Sequence, residues 1–234
     1  MSEYNFLDKL HNKHHYDEHI DCLTNHLSKY FKDEEITVFH EVVSLDFHLD
    51  VYFIKPANRN YNILLTSGMS LLEMTVNAEI ENRSDYLFAE LMVLTPKDLD
   101  FEQVYTGNEK NSWIISMLKQ TARYPHHYDT FITIGQTLQA TEDMRPYNSE
   151  TDYVGCAILP SVTFDSDFTE VKCENKKINI YSLFPMYKNE LDYKIQKGYA
   201  GLVDLLNKER PKEIIDNRRK NLISNKGFWN IFRK

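Results

Sequence analysis

Apolar residues along this chain recur at two spacings, one typical of helices and one typical of strands. From Tyr16 to Leu27 they recur at steps of three and four residues, which predicts a helix over residues 5–31. A broad apolar face predicts a second helix over residues 111–124. That helix should end before Pro125, because proline disfavours helical backbone angles in the residue that precedes it.

Two helices are predicted near the end of the chain. A long helix is predicted to open at Pro185, since proline suits the first turn of a helix, and to reach about Lys208. A short helix over residues 211–220 should follow. Because no Ser/Gly/Pro-rich linker divides the sequence, we predict one domain over residues 1–216 and a basic tail over 217–234.

Short runs rich in β-branched and aromatic residues predict the strands. They cover residues 36–43, 46–54, 61–67 and 86–95, and the segments FITI (131–134), YVGCAIL (153–159) and INIYSLF (178–184). The first strands follow one another directly, and the later ones are separated from them by a helix. This order predicts an α+β fold in which a mixed β-sheet is covered by helices.

Charge is unevenly distributed along the 234 residues, whose net charge is −8. From Asn217 onward there are six basic residues and no acidic one, so the rest of the chain holds 21 basic and 35 acidic residues and a net charge of −14. An acidic body repels nucleic-acid phosphates and favours a basic protein partner, although the favoured interpretation is that the acidity only keeps the protein soluble. We therefore expect no nucleic-acid binding. No apolar run approaches the roughly 20 residues that span a bilayer, so no membrane association is expected either.

Three cysteines, Cys22, Cys156 and Cys173, bear on the cellular compartment. They are odd in number and lack the spacing of metal ligands, which favours three reduced thiols. The N-terminus has no basic segment followed by an apolar run, so no signal peptide is predicted. Both observations predict a cytoplasmic protein.

Histidines supply the first candidate for chemistry. His11, His15, His19, Cys22 and His26 follow one another at steps of three or four residues, so one face of a helix could present them together. Such a stripe could bind a metal, or it could be a solvated flank beside the apolar stripe. The second reading is favoured, because ligands on one helix rarely complete a metal site.

A second candidate is the pair His48 and Asp50, with His40 eight residues before His48. Strand alternation puts His48 and Asp50 on one face, at a separation suited to a metal or to acid–base chemistry, and the loop over residues 126–129 could complete the cluster. A hydrogen-bonded structural pair is the favoured reading. No nucleophile elbow, phosphate-binding loop or metalloprotease motif is present, so we predict no catalytic residue, no resident metal and no cofactor.

Seven segments, in order along the chain, resemble the Suppressor of fused family, specifically the bacterial proteins built on its N-terminal domain. They are FHLDVYFIKP (47–56), LLTSGMS (64–70), FAELMVLTPKDL (88–99), LKQTARYPHHYDT (118–130), IGQTL (134–138), CAILP (156–160) and YSLFPMYKNELDYKIQKG (181–198). The resemblance implies a non-catalytic protein-binding module with the fold of that domain. Gly68, within the second segment, is expected to allow a sharp turn after a buried strand.

Animal members of the family hold a short peptide as an added β-strand, and the matching positions here are Tyr124, Gly135, Gln136, Thr137 and Leu138. Where those members carry an acid after the glycine, this chain has Gln136, so the same peptide is not the expected ligand. Bacterial relatives suggest an immunity or antitoxin protein that neutralises a polymorphic toxin by direct binding. The alternatives are a regulatory scaffold for cellular proteins and a metal-dependent hydrolase that uses His48 and Asp50.

Overall fold

The computed structural model describes residues 13–41, 47–99 and 111–223. Within these ranges the helices are α1 (Lys13–Phe31), α2 (Ser112–His127), the single turn α3 (Ser166–Thr169) and α4 (Lys188–Glu209). The strands are β1 (Glu35–Phe39), β2 (Asp50–Lys55), β3 (Tyr61–Ser67), β4 (Ala89–Pro96), β5 (Thr137–Gln139), β6 (Gly155–Leu159), β7 (Glu170–Lys172) and β8 (Lys177–Met186). No helix in the described ranges is both long and apolar enough to cross a membrane.

All eight strands belong to one mixed sheet. Its order is β1-β2-β3-β4-β8-β6-β5, and β7 pairs with β8 beside this path. The β4–β8 pair is parallel, whereas the others are antiparallel. The parallel pair joins β4, the last of the sequential strands, to β8, and the connection between them contains α2, β5, β6, α3 and β7. The predicted α+β fold with a mixed sheet is therefore confirmed.

Both faces of the central strands β2, β3 and β4 are buried. In β2, Val51 and Phe53 join the core beneath α2, whereas Tyr52 and Ile54 join the core beneath α1. Helix α1 contributes Leu23 to that second core, as its predicted apolar stripe requires. Burial on both faces explains why the strands read as continuous apolar runs rather than as alternating patterns.

Helix α2 does not stop before Pro125 as predicted but continues to His127. Proline has no N–H, so one ladder bond, to the carbonyl of Thr121, is missing. That loss falls in the last turn, where the Tyr128 N–H still donates to the Tyr124 carbonyl at 3.1 Å. Because the Pro125 ring is buried, packing offsets the missing bond.

The start of the last helix was also predicted wrongly. Pro185 lies in β8, opposite Cys156 of β6, and α4 begins at Lys188. The Pro185 carbonyl accepts a bond from Arg219, so its nitrogen faces away from β6, where a missing donor breaks no ladder. The helix predicted over 211–220 is absent from this described segment, which is irregular apart from a bridge between Ile214 and Leu94 of β4.

Several strand predictions also differ from the structure. The strand predicted over 36–43 ends at Phe39, and the one predicted over 86–95 begins at Ala89. Residues 131–134 form a loop and a turn, and β5 begins later, at Thr137. The apolar pattern there reflects packing rather than pairing, since Ile132 is buried in the core beneath α2. The strand predicted from residue 46 begins at Asp50, because its pairing with β3 starts opposite Ser67.

Candidate functional site

The edge strand β5 is positioned by a tight turn. The Gln136 N–H donates to the Thr133 carbonyl at 3.2 Å, which closes a turn with Gly135 at its third position. Gly135 has a φ of 94°, a conformation that favours glycine. The Gly135 N–H donates to the Ile158 carbonyl, and the Ile158 N–H donates to the Gln136 carbonyl. These bonds form a glycine-containing β-bulge, which sets the register of β5 against β6.

The register leaves one side of β5 facing outward. The main chain of Gln136 and that of Ala140 both bond toward β6. Because main-chain groups alternate along an antiparallel strand, those of Thr137 and Gln139 point to the opposite side. Strand β5 is the last in the sheet order, so this side is an edge at which another strand could pair.

A groove lies between this edge and α2. Its volume is about 480 Å³, and its lining combines the outer face of the helix with the end of β5. The lining residues are Ile115, Ser116, Lys119, Gln120, Thr121, Arg123, Tyr124, His127, Tyr128, Leu138, Gln139, Ala140 and Tyr147. The structure therefore brings two predicted residues, Tyr124 and Leu138, to one groove. Thr137 belongs to its edge strand, whereas Gly135 and Gln136 form the turn that precedes it.

Two tyrosines form the aromatic part of the groove. The rings of Tyr124 and Tyr128 lie 4.8 Å apart between centroids, and the side chains are 38% and 68% exposed. Sequence reasoning missed Tyr128, although its position four residues after Tyr124, one helical turn away, was a signal for it. Large exposed aromatic side chains beside an unpaired strand edge are typical of a recognition surface.

The charged residues that line the groove are basic, namely Lys119, Arg123 and His127. This differs from the acidic surroundings that the net charge of the chain suggests for a contact surface. Two of them are held by Glu41, whose carboxylate accepts from Arg123 at 2.6 and 2.8 Å and from Lys119 at 3.4 Å. The groove is thus partly neutralised by a carboxylate from outside its lining.

The second candidate, around Asp50, does assemble. The register that pairs Phe39 with Val51 puts His40 opposite Asp50, and Nδ1 of His40 lies 2.9 Å from Oδ2 of Asp50. Nε2 of His48 lies 2.7 Å from the other carboxylate oxygen. Asp50 is 4% exposed, whereas the side chains of His40 and His48 are 72% and 33% exposed. A buried carboxylate therefore holds two imidazoles that reach solvent.

In the loop over residues 126–129, which would complete a hydrolase site, His126 contacts other residues than Asp50. Nε2 of His126 lies 3.1 Å from the Met69 carbonyl, and its ring packs edge-on against Phe47 at 5.1 Å between centroids. Among the described residues, the group that could hold a metal consists of His40, His48 and Asp50. The convergence of residues 126–129 that the hydrolase hypothesis required is not shown by these contacts.

The N-terminal histidine stripe is not a metal face over its described part. Cys22 forms a disulfide with Cys173, so the expectation of three reduced thiols is wrong. The pair was not apparent in the sequence because 151 positions separate the two residues. Nε2 of His26 bonds to the Phe168 carbonyl at 2.8 Å, and burial lowers the pKa of His26. His11 and the side chains of His15 and His19 lie outside the described part.

A buried carboxylate missed by sequence reasoning fixes the turn after β3. Glu90 accepts bonds from the hydroxyls of Thr66 and Ser70 and from the N–H groups of Gly68 and Ser70. Burial raises the pKa of Glu90, and these four donors oppose that shift. Every donor comes from the TSGMS segment, so a polar cluster inside the core accounts for much of that motif.

Comparison with known proteins identifies the class of this domain. The family model described as Suppressor of fused protein (SUFU) matches residues 46–220, so the chain belongs to the Suppressor of fused family. This is a family of regulatory, non-enzymatic proteins, consistent with a protein-binding module. No curated protein sequence matches the chain.

Three solved structures share the fold. A SUFU homologue from Neisseria gonorrhoeae FA 1090 has a TM-score of 0.65 at 14% identity, over 89% of this chain and 98% of that one. A chain of the Sufu–Fu complex has a TM-score of 0.59 at 11% identity, over 92% of this chain and 93% of that one. Drosophila Suppressor of Fused has a TM-score of 0.58 at 11% identity, over 92% of this chain and 52% of that one. The chain thus spans about half the length of the Drosophila protein.

Proposed function

We propose that this chain is a non-catalytic binding protein that takes an extended segment of its partner along the outer edge of β5. The observation that carries the proposal is the outward direction of the main-chain groups of Thr137 and Gln139 beside the groove. In strand addition, such groups supply affinity through main-chain hydrogen bonds, and neighbouring pockets supply specificity.

The groove gives the partner segment a chemical description. Tyr124 and Tyr128 offer aromatic surface to an apolar or aromatic side chain. Lys119, Arg123 and His127 favour a segment that also carries a carboxylate. The acidic net charge of the remaining chain would steer a partner with a basic surface, while the contacting segment itself is neutral or acidic.

The partner we favour is a toxin, which makes the chain an immunity or antitoxin protein. A protein partner is supported by a family relative that has been solved as a complex, Sufu–Fu. Another relative with the same fold is bacterial. Neutralisation by direct binding needs no catalytic group, in keeping with a groove that contains aromatic and paired basic residues. A regulatory scaffold that binds several cellular proteins is the alternative.

Strand addition can be tested at one position with a matched pair of variants. A tagged chain is expressed in its native host, co-purified proteins are identified, and binding to each purified candidate is measured. Gln139→Pro removes an outward N–H from an exposed edge position, where proline is tolerated, and should weaken binding about 10-fold. Gln139→Ala keeps that N–H and should bind within about threefold of the wild type.

The outcomes separate the two parts of the proposal. Equal wild-type binding by both variants, with unchanged melting temperatures, would place the interface away from β5. The toxin hypothesis needs a second result: the partner alone arrests growth of a bacterial host, and co-expression of this chain restores it. Several partners with no effect on growth would favour the regulatory scaffold instead.

A further inference from the structure

We propose that His40, His48 and Asp50 form a binding site for a divalent cation, and that the preferred ion is Zn²⁺. The proposal does not depend on the groove at β5 or on the identity of any protein partner. It rests on the convergence of three side chains, Asp50 at the start of β2, His48 just before that strand and His40 just after β1, each offering a ligand atom of the type that zinc prefers.

The first argument is geometric. One ligand atom from each of His40, His48 and Asp50 lies within 4.8 Å of the other two. Ligand atoms about 2.0–2.2 Å from a tetrahedral zinc ion are separated by roughly 3.3–3.5 Å, so small side-chain rotations bring these three into range. The backbone needs no rearrangement, since Asp50 is fixed in β2 and His40 adjoins the end of β1.

The second argument concerns the orientation of the carboxylate. Oδ1 of Asp50 also accepts a bond from the Glu41 N–H at 2.9 Å. The Glu41 side chain is in turn bonded by Arg123 of α2 and accepts from the Leu49 N–H at 3.2 Å. Outer bonds of this kind hold a ligating carboxylate in place, and their presence distinguishes a built site from a chance surface cluster.

The third argument concerns protons. An ionised carboxylate only accepts hydrogen bonds, so in the metal-free protein both imidazole nitrogens that face Asp50 carry a proton. Neutral imidazoles can move that proton to their other ring nitrogen, which frees Nδ1 of His40 and Nε2 of His48 for the metal. The ion would replace two imidazole–carboxylate hydrogen bonds with three coordinate bonds.

The fourth coordination position would face solvent, because the side chain of His40 is largely exposed. Three protein ligands and one open position describe a site that exchanges its fourth ligand, rather than a closed structural zinc site. Water, or a donor atom from a bound partner, would fill it.

The test is a zinc titration of the tag-free, chelator-treated protein. We expect one equivalent to bind tightly by calorimetry, and Co²⁺ in place of Zn²⁺ to give the visible absorption of a tetrahedral site. His48→Ala should weaken binding at least about 100-fold and abolish the cobalt absorption, since loss of a direct ligand exceeds the 10–100-fold effect of an outer one. Asp50→Asn should act similarly.

The control variant removes two other histidines of the sequence, His15 and His19, by substitution with alanine. It should bind zinc as the wild type does. Zinc binding that is lost in this control but retained by His48→Ala would overturn the proposal, as would wild-type binding no tighter than that of His48→Ala. Should Asp50→Asn fail to fold, the partly exposed His48 still decides the question.

Discussion

Two buried carboxylates, Glu190 and Asp50, each hold cationic or imidazole side chains, but their surroundings differ. Glu190 is fully buried, and its two carboxylate oxygens accept hydrogen bonds from Nη1 and Nη2 of Arg219, both at 2.7 Å. It also accepts from the N–H groups of Tyr187 and Leu222. All its oxygen lone pairs are thus used by the protein itself, and nothing is left for a ligand.

The cluster at Asp50 is open by comparison. Its donors are the Glu41 N–H and two imidazoles that reach solvent, and imidazoles can exchange a hydrogen bond for a metal. The guanidinium of Arg219 instead lies over the rings of Tyr153, Phe184 and Tyr187, at 4.7–5.4 Å from their centroids. The two clusters therefore differ in their access to solvent. The enclosed cluster at Glu190 stabilises the fold, whereas the open cluster at Asp50 is the one proposed to bind a metal ion.

The largest expected effect follows from opening the enclosed cluster. Arg219→Ala leaves Glu190 charged and buried without its partner, so the free energy of unfolding should fall by about 3–5 kcal/mol. Arg219→Lys should recover only part of that loss, since lysine cannot make the paired bonds. The exposed neighbour provides the control: Arg218→Ala should change urea unfolding by less than about 0.5 kcal/mol. Similar losses at both positions would contradict this assignment.

A second variant changes Gly68, whose N–H bonds to the buried Glu90 and whose Cα lies close to the His48 main chain. A Cβ on Gly68 would lie 2.2 Å from the His48 carbonyl oxygen, and its φ of 132° is already unfavourable for other residues. Gly68→Ala should therefore cost about 3–4 kcal/mol, from clash and backbone strain together. Gly198→Ala is the matched control, because its φ is also positive but nothing lies within 4 Å of the added carbon. Chemical denaturation should rank Gly68→Ala well below Gly198→Ala in stability.

A third prediction concerns the disulfide between Cys22 of α1 and Cys173. Cys22→Ser should lower the free energy of unfolding by about 2–3 kcal/mol, because the disulfide restricts the unfolded chain across a long loop. Dithiothreitol should bring the wild type to the same level and leave the variant unchanged. A wild type that is insensitive to the reductant would show that the bond is not formed in solution. In a reducing cytoplasm this contribution would be absent.

The parts of the fold that depend on local pattern could be predicted from the sequence. The apolar runs of β2, β3 and β4 identified strands, and the mixed sheet followed from their order. Boundaries were lost where tertiary contacts override a local preference. Pro125 lies within a helix because burial of its ring offsets the missing hydrogen bond. Pro185 lies within a strand because its nitrogen faces away from β6, on the side where its carbonyl accepts a hydrogen bond from Arg219.

The candidate sites were predictable only in part, because they also depend on tertiary contacts. Tyr124 and Leu138, which line one groove, were predicted from the family resemblance, and the pairing of His48 with Asp50 was predicted from strand alternation. The contribution of His40 depends on the β1–β2 register, and that of Lys119 and Arg123 on packing of α2 beside Glu41. Neither the register nor the packing is encoded in the spacing of residues along one segment.

The smallest expected effect concerns the buried imidazole of His26 and the dependence of stability on pH. Burial lowers the pKa of His26, so its folded-state pKa lies below the unfolded value of about 6.5. The unfolded chain therefore takes up a proton first as the pH falls. The stability that His26 contributes is complete above about pH 6.5 and declines below it, by at most about 1.4 kcal/mol per pH unit, until the folded form is protonated as well.

His26→Gln should flatten this decline, because a glutamine amide can still donate to the Phe168 carbonyl but does not titrate in this range. Urea unfolding of the wild type and the variant at several pH values between 7 and 5 measures both slopes. Equal slopes for the two proteins would show that the acid sensitivity does not arise from His26.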